Sequence, residues 1–189
     1  MPTKQTAPSG PIYQLKITLR GSKPPIWRRV LVPGSFSLAK LHRVIQLAMG
    51  WSDSHLHQFD IGGHGYGIPH PDDWVQVADE RRQILGRLGL KEKNKFFYQY
   101  DFGDDWQHAI TVEKILEPAA EGKYPICTGG KRACPPEDVG GVWGYGDFLA
   151  ALADPGHEEH ESYKEWAGED FDPERCDLDA INKVLRRVK

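Results

Sequence analysis

The chain has 189 residues, of which 39% are hydrophobic and 11% aromatic, and a formal net charge of −3. That content suffices for one sizeable core and falls short of two independent domains. No stretch approaches the roughly 20 apolar residues of a membrane span, and "MPTKQTAPSG" lacks the apolar run of a secretory signal. The expectation is one soluble, cytoplasmic domain over residues 11–189, behind a flexible tail at 1–10, with no membrane partner. Cys127, Cys134 and Cys176 are odd in number and form no Cys-x-x-Cys pair, so they read as reduced thiols. Charge is unevenly spread. Residues 1–50 hold eight Lys or Arg and no acid, while residues 154–179 hold eleven Asp or Glu against Lys164 and Arg175. Such polarity suits a nucleic-acid partner, an acidic protein partner, or neutralisation within the fold.

After the tail, "IYQLKITLR" alternates, with Tyr13, Leu15, Ile17 and Leu19 on one side and Gln14, Lys16, Thr18 and Arg20 on the other. This is the pattern of a half-buried strand. "GSKPP" breaks it, and "IWRRVLV" returns as an antiparallel partner ended by Pro33-Gly34. Ser37 caps a helix over 38–49, where Leu38, Leu41, Ile45, Ala48 and Met49 fall at helical spacing, and Gly50 stops it. "HLHQFDIGG" alternates again, placing His55, His57, Phe59 and Ile61 together. Residues 62–73 read as loop; 74–95 are mixed, with "RRQILGRLGL" suggesting a short helix broken by glycine. "FFYQYDF" and "WQHAITVEKIL" are strand-type runs flanking an acidic turn. A Pro/Gly loop over 118–146 leads to a short helix in "DFLAALADPG" with Asp147 near its start, then to helices at about 158–167 and 178–188. The last carries Ile181, Val184, Leu185 and Val188 on one face. Strands come early and helices late without regular alternation. This predicts an α+β domain on a mainly antiparallel sheet, with helices packed on it and a helical C-terminal third.

"YDFGDDWQH", residues 100–108, concentrates the chemistry-bearing side chains. Read as a hairpin, Gly-Asp-Asp is the turn, with Gly103 free to take positive φ and the aspartates accepting local backbone hydrogen bonds. Strand parity then turns His108 inward beside Trp106, Ile110 and Val112. His57 faces inward on its own strand, which allows the two imidazoles to meet, with Asp101, Asp104 or Asp105 as hydrogen-bond partners. The candidate pocket is therefore His57, Asp101, Asp104, Asp105, Trp106 and His108. Adding Cys127 and Cys134 to His57 and His108 gives a mixed set of the kind zinc accepts, although six residues separate the cysteines, beyond the spacing of a knuckle. No cofactor is expected on balance. "HEEHE" at 157–161 has histidines three apart, not the four of a zincin, and reads as a solvated first helical turn. "GGVWGYG" is not a dinucleotide fingerprint, "GGKR" lacks P-loop spacing, and no Gly-x-Ser-x-Gly elbow occurs.

Several stretches together resemble the plasmid pRiA4b open-reading-frame-3-like family, some members of which carry transposon-passenger or TnpR-resolvase labels. They are "PPIWRRVLVP", "LHRVIQLAMGWSDSHLHQF", "YDFGDDWQHAITVEKI", "YPICTGGKRACPPEDVGG", "GYGDFLAAL" and "EDFDPERCDLDAIN", covering most of the chain beyond residue 11. The resemblance implies a compact α+β domain found with mobile elements, and brings no established activity or catalytic residue. It also associates "CPPED" with a further cysteine, where this chain has Val139. A recombinase needs a Ser or Tyr nucleophile with supporting arginines, and Arg28-Arg29, Arg81-Arg82 and Arg186-Arg187 accompany no such motif.

Three functions stay open. The leading one is a non-catalytic accessory or interaction module with a protein partner, using the pocket around the Asp104–His108 hairpin. The second is nucleic-acid binding through Lys16, Arg20, Lys23, Arg28, Arg29, Lys40 and Arg43. The third is a metal-dependent phosphoryl-transfer or hydrolytic enzyme in which Asp101, Asp104 and Asp105 hold an ion and His108 is base or ligand.

Overall fold

The structure, a computed structural model, describes residues 10–71, 76–168 and 170–188. The expected tail, up to residue 9, lies outside them. Eight strands form one sheet: β1 (Ile12–Leu19), β2 (Trp27–Pro33), β3 (His57–Ile61), β4 (His64–Gly67), β5 (Ala78–Asp79), β6 (Lys95–Tyr100), β7 (Trp106–Leu116) and β8 (Ile126–Lys131). Their order is β5-β4-β3-β6-β7-β1-β2-β8, antiparallel except for the parallel pair β4 and β5. Four helices complete an α+β domain: α1 (Leu38–Met49), α2 (Gly141–Ala153), α3 (His160–Ala167) and α4 (Leu178–Leu185).

Alternation decides which face is covered. Leu15, Ile17 and Leu19 of β1, Val30 and Val32 of β2, and Trp106, His108, Ile110 and Val112 of β7 are buried together. The intervening residues, such as Lys16, Thr18, Arg29, Ala109 and Thr111, are partly exposed. α1 lays Leu38, Leu41, Val44, Ile45 and Ala48 into the inner face, and Phe148 of α2 and Leu185 of α4 join the same cluster. Burying each of the valine, leucine, isoleucine and phenylalanine side chains contributes roughly 1.5–3 kcal/mol. Ser37 caps α1 by accepting from the Lys40 amide, and Gly50 closes it at φ +99°, in the left-handed region that glycine tolerates.

Four stretches depart from the sequence reading. Within the expected loop 62–73, Gly62 and Gly63 both take positive φ and turn the chain into β4, which pairs with β3. Asp72 and Asp73, like Trp74 and Val75, fall outside the described residues. "RRQILGRLGL" gives two 3-10 turns, Glu80–Arg82 and Leu85–Arg87, because Ser37 bridges Ile84 and the Gln83 carbonyl accepts from Leu38, holding the link extended. The expected loop 118–146 contains β8, whose glycines lie against the side chains of β2, and the first turns of α2. α2 begins at Gly141 because Gly140 and Gly141 at φ +91° and +70° swing the chain into it, so Asp147 sits in mid-helix.

The outer edge, β8, ends against a side chain. Asn182 of α4 accepts from the Cys127 amide at 2.7 Å and donates to the Cys127 carbonyl at 2.9 Å, the two bonds a neighbouring strand would make.

Candidate functional site

α1 buries two polar residues one turn apart, His42 and Gln46, 4% and 2% exposed. They belong to a closed ring of hydrogen bonds. Gln46 Nε2 donates to Tyr98 Oη at 3.0 Å, Tyr98 Oη lies 2.8 Å from His42 Nδ1, and His42 Nε2 lies 2.7 Å from Asp53 Oδ1. The Asp53 amide closes the ring on Gln46 Oε1 at 3.1 Å. Every donor is matched when Tyr98 donates to Nδ1 and the imidazole carries its proton on Nε2. Burial pushes His42 down to about 4, with the neighbouring His57 acting the same way and Asp53 opposing. At neutral pH this ring is therefore uncharged, the form in which imidazole ligates metals. Burial also lifts Tyr98 well above its usual range, keeping its proton in place.

The His57 ring lies flat on that of His42, with centroids 3.4 Å apart and planes 6° from parallel. β3 delivers it from the inner side, opposite Tyr100. His57 Nε2 meets Glu80 Oε2 at 2.7 Å, both side chains almost fully buried. The 3-10 turn that brings Glu80 is started by Asp79, which accepts from the Arg81 amide. The pair lies in the wall of a cleft of about 670 Å³. Arg43 and Arg81 stand at its rim beside Leu56 and Ile68, which are 63% and 56% exposed. His42, Asp53 and His57 each bring one ligand atom within 4.8 Å of the others, and Glu80 backs His57. Two imidazoles with carboxylates suit zinc and similar divalent ions. Tyr98, holding His42 by its other nitrogen, is the outer support such ligands need.

A second group adjoins it. His55, Asp101 and Asp138 also gather ligand atoms within 4.8 Å, with His55 Nε2 at 3.0 Å from Asp138 Oδ1 and 3.6 Å from Asp101 Oδ2. Segment 51–57 is tied to the "CPPED" loop: Trp51 Nε1 donates to the Pro135 carbonyl at 3.0 Å, and Ser52 and Tyr100 both donate to Glu137. Burial raises Glu137, but these hydrogen bonds outweigh it and hold the carboxyl below its usual range. Asp53, Asp101 and Asp138 all sit at positive φ (64°, 56° and 61°), a region aspartate enters more readily than most residues and one enriched at functional sites.

The pocket expected at the hairpin is not assembled. Trp106 and His108 are 0% exposed, as their parity predicts, and neither lines the cleft that His57 borders. β6 separates His108 from β3, so Tyr98 touches both imidazoles and His57 stacks on His42 instead. His108 Nδ1 bonds the Trp106 carbonyl at 2.9 Å and not an aspartate. Asp101 Oδ1 accepts from the amides of Gly103 and Asp104, and positive φ falls on Asp101 and Asp105, not on Gly103. Asp104 accepts from the Gly140 amide, tying the turn to α2, and Asp105 accepts from Gln99 and Gln107. These four residues accordingly form no joint ion site. The His57, His108, Cys127 and Cys134 set does not gather either: among the described residues, the only groups close enough for an ion are the two above. Burial raises both thiols, away from the thiolate a metal takes.

The basic residues separate too. Lys16, Arg20 and Arg29 belong to the outer sheet face, Lys23 to the β1–β2 turn, and Lys40 and Arg43 to the exposed side of α1. Arg28 is only 3% exposed and unavailable to a phosphate. Its guanidinium donates to the carbonyls of Ala48, Trp27 and Lys131, closing the negative end of α1.

Fold and site define the class: an α+β domain whose eight-stranded sheet carries a histidine–carboxylate cleft beside its first helix. The family model described as plasmid pRiA4b ORF-3-like protein matches residues 11–180, and the chain belongs to that family. It is 40% identical over 176 residues to "Uncharacterized protein y4hQ" of Sinorhizobium fredii, covering 92% of this chain and 90% of that one. It is also similar to the crystal structure of a protein of unknown function, MM3350, from Methanosarcina mazei, with a TM-score of 0.83 and 42% identity. That match covers 90% of this chain and 97% of the other. No helix among the described residues is long and apolar enough to cross a membrane.

Proposed function

We propose that the protein is an accessory binding module whose working site is the His42–His57 cleft, and that this site takes a divalent cation. The observation that carries the reading is the convergence of His42, Asp53 and His57 within 4.8 Å, with Glu80 behind them. His42 would bind through Nε2 in its other tautomer, with the ring proton on Nδ1 and Tyr98 Oη turned to accept it, so that Tyr98 and Gln46 fix the ring. Arg43 at the rim suits an anionic co-ligand, Arg81 beside it being paired with Asp79, and the exposed Leu56 and Ile68 give a partner protein apolar contact at the mouth. A cytoplasmic setting fits the three free cysteines, and an association with mobile elements fits the family's plasmid name.

The test is elemental analysis and calorimetric titration of chelator-treated protein with Zn²⁺, Mn²⁺ and Ni²⁺. One ion per chain is expected, lost in the His42→Ala/His57→Ala double variant. Saturation at about 100 times the dissociation constant should add about 2.7 kcal/mol to stability. Protein that takes up none of the three ions, or an uptake the double variant retains, refutes the reading.

A further inference from the structure

The sheet has a second working face, opposite the core. Strand pairing lays its side chains out in rows. One row runs Lys131, Trp27, Thr18, Ala109 and Phe97 from β8 to β6; the next runs Gly129, Arg29, Lys16, Thr111 and Lys95. Two aromatic rings thus stand at the ends of a floor made of Thr18 and Ala109. At ~4.8 Å per strand they are roughly 14 Å apart. Phe97 is 39% exposed and Trp27 partly so.

Cations crowd the rings. Lys16 Nζ lies 4.9 Å and Arg29 Cζ 5.1 Å from the Trp27 ring, and Arg20 Cζ lies 5.4 Å from that of Phe97. Arg29 is committed to Glu113, which Gln14 also bonds. Lys16, Arg20, Lys95 and Lys131 pair with no carboxylate among the described residues. Four uncommitted positive charges on flexible stems, around two rings on a flat platform, call for a ligand with both negative charge and flat apolar faces.

We infer that this face binds single-stranded nucleic acid, with bases stacked on Trp27 and Phe97 and phosphates met by Lys16, Arg20, Lys95 and Lys131. The long side chains that cover the rings swing outward to the backbone, leaving the ring faces to the bases. Rings roughly 14 Å apart suit a splayed strand, not a duplex whose successive pairs stack about 3.4 Å apart. The flat face also presents no helix or ribbon to enter a groove. The site is on the opposite side of the sheet from the histidine cleft and does not depend on it.

Fluorescence anisotropy with labelled oligothymidylate and oligouridylate of about 12 nucleotides, and a duplex of equal length, tests the inference. Single strands should bind at about 50 mM salt and lose about 50-fold in affinity by about 200 mM, the slope expected for four phosphate contacts. Trp27→Ala and Phe97→Ala should each weaken binding about 5- to 150-fold. Lys16→Gln, which leaves the core untouched, should flatten the salt slope by about 0.7 and keeps the test valid if an aromatic variant fails to fold. Lys40→Gln, on α1, should change nothing. The inference is overturned if neither oligonucleotide binds at the lower salt, if the duplex or polyglutamate binds as tightly, or if Lys16→Gln leaves affinity and slope unaltered.

Discussion

His108 should make the fold acid-sensitive, and replacing it with asparagine should remove a defined part of that sensitivity. The imidazole is 0% exposed; Nδ1 bonds the Trp106 carbonyl at 2.9 Å and Nε2 is buried without a partner. A second proton would put a charge in the core, and burial lowers the group from 6.5 to about 4 against the opposing pull of the Trp106 and Tyr98 backbone. On acidification the unfolded chain takes up this proton first. The stability His108 contributes is therefore intact above about pH 6.5 and drains away as pH falls towards 4. Between about pH 7 and pH 5 the loss comes to about 2 kcal/mol. His108→Asn keeps a donor near the Trp106 carbonyl and cannot titrate. The roughly 40 Å³ it vacates costs about 1 kcal/mol at every pH. Urea unfolding of both proteins at about pH 7 and pH 5 separates the two effects, because His42 titrates alike in each and cancels. The variant should be the weaker protein at pH 7 and lose about 2 kcal/mol less on going to pH 5. Equal losses in the two proteins would refute the reasoning.

Gly144→Ala carries a prediction of sign. Helix propensity alone favours alanine by about 1 kcal/mol, but a Cβ there would run into the Val139 carbonyl, which is backbone and cannot step aside. Thermal melts should show a loss of about 1–3 kcal/mol, and a gain would show that the first turn of α2 sits elsewhere. Tyr98→Phe removes the hydroxyl shared by His42 and Gln46, leaving two buried groups unpaired at a cost of about 1–3 kcal/mol by chemical denaturation. The same variant should weaken cation binding 10- to 100-fold by calorimetry, whereas unchanged affinity would mean that Tyr98 does not position His42.

Elements with a strong period were legible in the sequence. α1 runs over 38–49 as its apolar spacing requires, and the alternation of β1 and β7 correctly turned Trp106 and His108 inward. Glycine hid the rest. β4 is "HGYG" and β8 is "ICTGGK", strands whose glycines have no side chains to alternate, and α2 starts inside a glycine-rich run. The candidate site was legible only in His57. His42 and Gln46 sit one turn apart on the apolar side of α1, a polar pair on a buried stripe, and that was the available signal for the missing half. Glu80 had none, since its position depends on the chain crossing at Ser37 and Ile84. The acidic turn drew attention by composition, yet its carboxylates are spent on backbone amides and glutamines.

Asn182 gives the last helix a protective duty towards the sheet. An unpaired strand margin is a template for joining another chain, and here a single amide occupies it where β8 would otherwise recruit a stranger. Because α4 follows β8 in the chain, the margin stays bare during synthesis until that helix emerges. Stickiness in nascent or C-terminally clipped chains is thus built into the order of synthesis.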